Sequence, residues 1–501
     1  MKIMHVLAID LGTQSMRAAL MDINGNILDM EQVEHQVHVP HPGWAQQQPR
    51  VWWDLTKQVI KTLSHRNKSN FDTVEAISTC GQMHGPVGID RFGEITTEWT
   101  QIWMDKRSET ICQAIREQYD ETELLKITAN PITTGWPGVK VRWIKEHERA
   151  VYDKTECFLV PKDFINYKLT GNFATDHSEA SGTYLYDAAM EDYSKTMAEI
   201  LDVSLSKFAP IKNAFESVGH VKPDVARDLG LSTDIPVMAG GGDFIVSLLG
   251  LGLIDESTAV DMTGTSTLFV VHKNNPIINS SIQNLKHVIS GWVPFAMLDC
   301  GGLSMKWCKE LLSSNGKGDL SYKEMISLAS QIPIGSEGLS FYPYLLGERR
   351  KENSLARGAF LGITLNHKAG HFSRSVMEGV TLATGSYANM FKSLGVDLKR
   401  VCCVGGATRN KLLYQMKADI MNMPQLLTNQ PESSLKGCAL LASYGLGYIK
   451  DFAGILEDRE SNFETINPIQ TNVVKYNLLL DDFKKMYNYM MGFWQLAHSL
   501  Q

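Results

Sequence analysis

The sequence predicts an α/β protein built as two similar halves, each a mixed sheet with helices around it. Three observations carry this. The chain has 501 residues, too many for one hydrophobic core. Short β-type runs alternate with segments of helical periodicity from end to end. One pattern also occurs twice. Ala8-Ile9-Asp10-Leu11-Gly12-Thr13-Gln14-Ser15 is echoed by Ala259-Val260-Asp261-Met262-Thr263-Gly264-Thr265-Ser266, its aspartates 251 residues apart. A period of about half the chain points to duplicated halves and not to a solenoid. The junction is placed around Gly250-Leu251-Gly252, giving an N-terminal domain over 1–250 and a C-terminal domain over 251–501.

The elements follow in order. Val6 to Ile9 is a strand, Asp10 to Ser15 a polar turn, and Met16 to Met21 the returning strand. Asn24-Gly25 is a hairpin turn into a third strand. Pro49 opens a helix carrying Val51, Trp52, Leu55, Val59, Ile60 and Leu63 at helical spacing. Val74 to Thr79 is a strand ending in Cys80-Gly81-Gln82-Met83-His84-Gly85. Val87 to Asp90 is another, and a further strand ends at Ile102-Trp103-Met104-Asp105. Residues 108–155 are mostly helical, broken between Pro131 and Pro137. A short helix over Pro223 to Leu229 precedes the strand Val237-Met238-Ala239, which breaks into Gly240-Gly241-Gly242-Asp243. In the second half, Ser257 to Asp261 and Leu268 to His272 are strands. Gly301-Gly302 turns into a helix, and Phe372 to Leu394 is a long helix. Val401 to Val404 is a strand running into Gly405-Gly406 and a helix through Ile420. Helices over Ser433 to Tyr448 and Asn472 to Ala497 close the chain.

Bulk properties narrow the function. Composition is ordinary, with 44% apolar and 21% charged residues. A net charge of −7 gives no electrostatic basis for nucleic acid or an anionic membrane. The densest basic cluster, Arg349-Arg350-Lys351, reads as a solvated loop. The eight cysteines form no CxxC pair and read as reduced thiols, which suits cytosol. Met1 to Ile9 is short and lacks a cleavage-like site, so it reads as a first strand and not a signal peptide. No apolar run reaches the ~18 residues that span a bilayer. The expectation is a soluble, cytoplasmic protein without nucleic-acid or membrane partners.

Several turns have chemical content. A polar hairpin such as Gly12-Thr13-Gln14-Ser15 can present several N–H groups to one anion, and Arg17 adds positive charge. Asp10 would repel phosphate but fits if it holds Mg²⁺, directly or through water. Asp243, at the end of a glycine turn, can point into a cleft as a general base. Taken singly, each hairpin is an ordinary polar turn and Asp243 a helix cap; two hairpins flanking a Gly-Gly-Gly-Asp turn favour a phosphate site. Gly405-Gly406-Ala407-Thr408-Arg409-Asn410 is either a nucleotide-binding strand-to-helix turn or a helix cap. Gln82, Met83, His84, Trp103 and Asp105 set polar groups beside aromatic ones at strand ends, the chemistry of a sugar pocket. Walker A, GxGxxG, HExxH and GxSxG motifs are absent, which disfavours P-loop, dinucleotide, zincin and serine-hydrolase chemistry.

Together these residues resemble the FGGY family of carbohydrate kinases, across about residues 4–450. Asp10-x-Gly12-Thr13-x-Ser15 is similar to the family's first phosphate loop and Thr263-Gly264-Thr265-Ser266 to its second, with Gly302 following it. Gly405-Gly406-x-x-x-Asn410 is similar to its adenosine motif. The stretches Gly135-Trp136-Pro137-Gly138-Val139-Lys140-Val141-Arg142-Trp143-Ile144-Lys145-Glu146-His147 and Gly358-Ala359-Phe360-Leu361-Gly362-Ile363 to Met377-Glu378 resemble two longer signatures. Within the family, Gly81-Gln82-Met83-His84-Gly85, His41-Pro42-Gly43-Trp44-Ala45-Gln46-Gln47 and Trp103-x-Asp105-x-Arg107-Ser108 are similar to substrate stretches of xylulokinases.

The resemblance implies two actin-like ATPase (ribonuclease H-like) domains with an interdomain cleft. It implies ATP and Mg²⁺, with Asp10 and Asp243 on the metal and Asp243 as catalytic base. It also implies a small-molecule sugar held by Gln82, Met83, His84, Trp103 and Asp105, most simply D-xylulose. Phe244-Ile245 after Asp243, and Met104 and Lys106 beside Asp105, depart from the xylulokinase pattern. Another ketose, a polyol or a sugar acid is therefore the alternative substrate, and a non-catalytic sugar or nucleotide sensor the alternative of another class. Tyr487, Met490 and Phe493 on the final helix are expected to pack on their own domain, with a homodimer as the second use.

Overall fold

The computed structural model describes residues 4–313, 320–348, 355–428, 432–452 and 463–498. The basic cluster Arg349-Arg350-Lys351 lies outside them. Two compact units form. The first comprises Met1–Ile254, Lys273–Pro294 and Glu432–Ile455; the second Asp255–His272, Phe295–Pro431 and Leu456–Gln501. The chain thus returns twice to its first unit, whereas the sequence reading places a single boundary.

The first unit is built on a six-stranded sheet. Its strands are β1 (His5–Leu11), β2 (Ser15–Asp22), β3 (Ile27–Glu34), β4 (Val74–Gly81), β5 (Ser217–His220) and β6 (Pro236–Gly242). Their spatial order is β5-β6-β4-β1-β2-β3. β1, β4 and β6 run parallel, while β2, β3 and β5 are antiparallel to their neighbours. Every residue of β1 is buried, as expected for a strand covered on both faces. Helix Pro49–Arg66 begins at its proline and buries Trp52, Val59, Ile60 and Leu63. Helix Ser433–Gly445, from late in the chain, packs on β1 and on helix Asp243–Leu251. Its Gly437 allows the approach, since a Cβ there would lie 2.0 Å from the Val246 carbonyl oxygen.

The second unit repeats the plan. Its strands are β7 (Thr258–Thr263), β8 (Thr267–Val270), β9 (Trp292–Leu298), β10 (Arg400–Val404), β11 (Gln425–Leu427) and β12 (Glu464–Ile466). They are ordered β9-β8-β7-β10-β11-β12. β7, β10 and β11 are parallel; β8, β9 and β12 are antiparallel to their neighbours. Read outward from the hairpin, the order and direction of these six of the sheet's seven strands match those of the first sheet, as the echoed hairpins predict. Helices Gly302–Ser313, Ala369–Ser393, Lys411–Met421 and Gln470–His498 belong to this unit. On the last of these Tyr487 and Met490 turn inward and Phe493 outward. The strand expected to end at Ile102–Asp105 is only Thr100–Gln101, followed by a turn. All eight cysteines are buried, and none is in a disulfide. No helix among the described residues is long and apolar enough to cross a membrane.

Candidate active site

In the first unit, three parallel strands end on the same edge of the sheet: β1 at Leu11, β4 at Gly81 and β6 at Gly242. The loops beyond carboxyl ends of parallel strands are where α/β sheets bind ligands. Asp10, Gln82 to His84 and Asp243 all sit at these ends. β6 reaches Asp243 through a bulge between Met238 and Gly241. Gly240 makes the bulge at φ +69°, and a Cβ there would lie 1.8 Å from the Thr79 carbonyl oxygen, so only glycine fits.

Asp10 is buried. Its Oδ2 accepts from the Arg17 guanidinium and, at 2.7 Å, from Ser434 Oγ. Arg17 also pairs with Glu432 at 2.6 Å. Burial alone would lower the Arg17 pKa, but Asp10 and Glu432 outweigh it and raise it. Asp10 Oδ1 is buried and has no hydrogen-bond partner. Asp243 opens helix Asp243–Leu251, and its Oδ1 accepts from the Phe244 N–H at 2.6 Å. Burial, then repulsion from Asp10, pushes the Asp243 carboxyl up to about 7 from an ordinary 3.8. Ile245, two residues on, is fully buried.

The hairpin Gly12-Thr13-Gln14 is tied to the polar loops beside it. The Trp103 indole N–H donates to Thr13 Oγ1 at 3.0 Å, and Gln47 Nε2 donates to the Thr13 carbonyl at 2.8 Å. Gln47 Oε1 accepts from Gln82 Nε2 at 2.7 Å. Gln82 is buried, and its Oε1 has no partner. Met83 packs on β6: a Cβ at Gly242 would lie 2.5 Å from its sulfur. His84 takes a left-handed φ of +73°, a conformation that costs a non-glycine residue ~1–2 kcal/mol. It is held there by Lys140, whose ammonium donates to the carbonyls of His84 at 2.9 Å and Ile102 at 2.8 Å. The imidazole meets Trp136 edge-on at 5.1 Å. Burial, with Lys140 adding to it, lowers its pKa to about 3, so the ring is neutral.

Asp105, which the sequence reading set against the sugar, is held by protein partners in the fold. It is fully buried, and Arg107 grips both carboxylate oxygens at 2.7–3.0 Å. The Ala45 N–H donates to it at 2.6 Å. Arg107 itself lies 3.7 Å over the Trp44 ring. The carboxylate is saturated and shapes the loop that presents Trp103.

In the second unit, Thr263 to Ser266, Gly302 and Gly405 also gather at one sheet edge. Gly302 N–H donates to the Gly264 carbonyl at 2.9 Å, so the helix Gly302–Ser313 docks directly on the hairpin. Gly405, at φ +100°, passes so close to the Thr263 carbonyl that a Cβ would lie 2.7 Å from its oxygen. Gly264, Thr265, Gly405 and Gly406 are exposed, and Ser266 partly so. The Thr263 hydroxyl, by contrast, is committed: it donates to Asp261 at 2.6 Å and accepts from Lys417 at 2.7 Å. Asn410 caps helix Lys411–Met421, its Oδ1 accepting from the Leu413 N–H at 3.1 Å. The two echoed aspartates therefore differ. Asp261 is neutralised by the buried Lys417, whereas Asp10 keeps an open oxygen.

Ser434, Glu432, Lys140 and Trp136 complete the first site, and sequence reasoning named none of them for it. Ser434 lies 424 residues from Asp10, beyond any local pattern. Lys140 did leave a trace, as a lysine on the apolar face of helix Pro137–His147.

Comparison with known proteins gives the same picture. The family models for the N-terminal and C-terminal domains of FGGY carbohydrate kinases match residues 5–250 and 260–446. The chain is 31% identical over 494 residues to a xylulose kinase of Lactococcus lactis, covering 96% of each chain. It is 30% identical over 488 residues to one of Staphylococcus epidermidis, again covering 96% of each. The crystal structure of xylulose kinase from Rhodospirillum rubrum superposes with a TM-score of 0.92 at 26% identity, over 98% of this chain and 100% of that one. Matches to both domain models, together spanning most of residues 5–446 on two sheets of one plan, make this chain a member of the FGGY family of carbohydrate kinases.

Proposed function

We propose that the protein transfers the γ-phosphoryl group of ATP to a hydroxyl of D-xylulose, giving D-xylulose 5-phosphate. Relatives named xylulose kinase align over nearly its whole length. The observation that carries the chemistry is the pairing of Asp10 and Asp243 at one sheet edge. One has an unpartnered oxygen, and the other is a carboxyl raised to about 7.

A base serves best when its pKa lies near the working pH. Asp243 takes the proton of the attacking hydroxyl, and its raised pKa makes it a better acceptor than an ordinary carboxylate. Gln82 Oε1, buried and unpartnered, is free to accept from a sugar hydroxyl. Met83, His84 and Trp103 give the sugar its apolar and aromatic walls. The open Asp10 oxygen and the nearby Asp243 fit Mg²⁺, which takes one or two carboxylates and fills its shell with water and phosphate oxygens. Bound there, Mg²⁺ would neutralise charge on the phosphates. The backbone of Gly12 to Ser15 and of Gly264 to Ser266, with Gly405-Gly406, is assigned to ATP. Most of the rate comes from positioning and charge neutralisation, with the base adding ~10²–10⁴-fold.

A coupled ADP-release assay with MgATP and a panel of D-xylulose, L-xylulose, D- and L-ribulose, glycerol, gluconate and hexuloses tests this. D-Xylulose should give the highest kcat/KM. A different winner moves the substrate to another ketose, polyol or sugar acid and makes Phe244, Met104 and Lys106 the residues to exchange. Asp243→Ala should bind sugar and lose turnover; retention of more than about a tenth of wild-type kcat contradicts the base role.

A further inference from the structure

β6 ends in a buried polar scaffold that the reading above does not use. Lys162, on helix Pro161–Thr170, is fully buried. Its ammonium pairs with Asp163, with Asp176 Oδ1 at 2.9 Å, and with the Ala239 carbonyl at 3.1 Å. Asp176 is equally buried, and its Oδ2 accepts from the N–H and hydroxyl of Ser178 at 2.7 and 2.5 Å. Ser178 Oγ in turn accepts from the Gly242 N–H at 3.1 Å. Gly242 immediately precedes Asp243. Asn166 works on the same strand, donating to the carbonyls of Met238 at 3.3 Å and Ala239 at 2.9 Å. The bulge at Gly240 shifts the register there and turns these carbonyls toward the helix.

Ions buried this deeply are a poor source of stability, because an apolar replacement of similar volume is often neutral or better. Their use here is geometric. Gly242 also packs against Met83, whose sulfur would lie 2.5 Å from a Cβ there. Beside the scaffold, Glu179 is fully buried, and neither carboxyl oxygen has a hydrogen-bond partner. Burial raises its pKa well above the ordinary range.

We infer that Lys162, Asp176 and Ser178 are positioning residues, a strut made of one buried ion pair and the hydrogen bonds that follow it, which fixes the Gly242 peptide and through it the Asp243 carboxyl. The inference rests on Asp243 being the base. Ser178→Ala cuts the strut without removing a charge. It should lower kcat about 10- to 100-fold, the scale of an ångström-sized misplacement, while KM for sugar and for ATP stays within about twofold. In an Asp243→Asn background the same change should alter the residual turnover by less than about twofold, because the strut acts through that carboxyl. Amide hydrogen exchange should quicken at least about tenfold in a peptide spanning residues 240–246, while β1 and β4 keep their protection. Should Ser178→Ala fail to melt cooperatively, Ser178→Cys, close in size with a weaker acceptor, carries the same expectations. A kcat loss that persists in full without the Asp243 carboxylate overturns the proposal, as does unchanged exchange at 240–246. If wild-type protein turns over no sugar in the panel, it is the kinase reading that fails, and the exchange measurement still decides on the strut.

Discussion

Asp243 should make the protein less stable at the pH where it is most active. Its carboxyl lies at about 7 in the folded chain against an ordinary 3.8. That difference corresponds to ~4 kcal/mol between the protonated and ionised forms. The side chain is partly exposed, and screening by solvent reduces the figure to ~2 kcal/mol. The folded state favours the proton, so the stabilising contribution is complete below about pH 3.8 and is lost as pH rises through about 7. Roughly a third is already gone by pH 5, leaving ~1.3 kcal/mol between pH 5 and pH 8, or about 3 °C in Tm for a unit of this size. Asp243→Asn keeps the shape and the acceptor for the Phe244 N–H but cannot ionise. Thermal melts of both proteins at pH 5 and pH 8 should therefore show the variant gaining about 3 °C on wild type at the higher pH. Wild-type kcat/KM should rise about tenfold from pH 6 to pH 8 as the ionised fraction climbs from about a tenth to about nine tenths. A melting difference that is the same at both pH values would refute the raised carboxyl and with it this account of the base.

Four further outcomes are expected. Gly240→Ala must push its Cβ away from the Thr79 carbonyl, where it would lie at 1.8 Å; displacing the bulge should cost ~10²-fold in kcat by steady-state assay. Trp103→Phe keeps the aromatic wall but loses the bond to Thr13, and calorimetry should show ATP binding ~2- to 10-fold weaker. Lys140→Met releases the carbonyls of His84 and Ile102; KM for the sugar should rise at least ~10-fold while ATP affinity in the absence of sugar is unchanged. Lys417→Met strands the buried Asp261 carboxylate, and denaturant titration should report a loss of ~3–5 kcal/mol, much of it recovered on adding Asp261→Asn.

What the sequence made legible was whatever the backbone had to spell out locally. The two Asp-Gly/Thr/Ser hairpins and the Gly-Gly-Gly-Asp turn were readable because a bulge at Gly240 and a close approach at Gly405 exclude every residue with a Cβ. The matching of the two sheets followed from the echoed hairpins. The partners of Asp105 were not legible because a carboxylate beside an aromatic residue looks alike whether it faces a sugar or an arginine. Only the fold shows Arg107 wrapped around it. Gly302 and Asn410 show the same ambiguity: glycine and asparagine at a helix start can serve a ligand, and here each also has a backbone partner. Ser434 and the Ser178 strut were invisible because their meaning depends on pairings across long stretches of chain, which no spacing rule encodes.

The return of helix Ser433–Gly445 to β1 also has a bearing on how the protein is made. A ribosome finishes β6 and Asp243 roughly 200 residues before it releases that helix. At ~5–20 residues per second, the first sheet waits ~10–40 s with the flank of Asp10 uncovered and helix Asp243–Leu251 lacking its neighbour. Nascent chains in that interval should be the ones that chaperones hold and proteases cut, so yield in a cell depends on translation speed across the second half as well as on the stability of the finished fold.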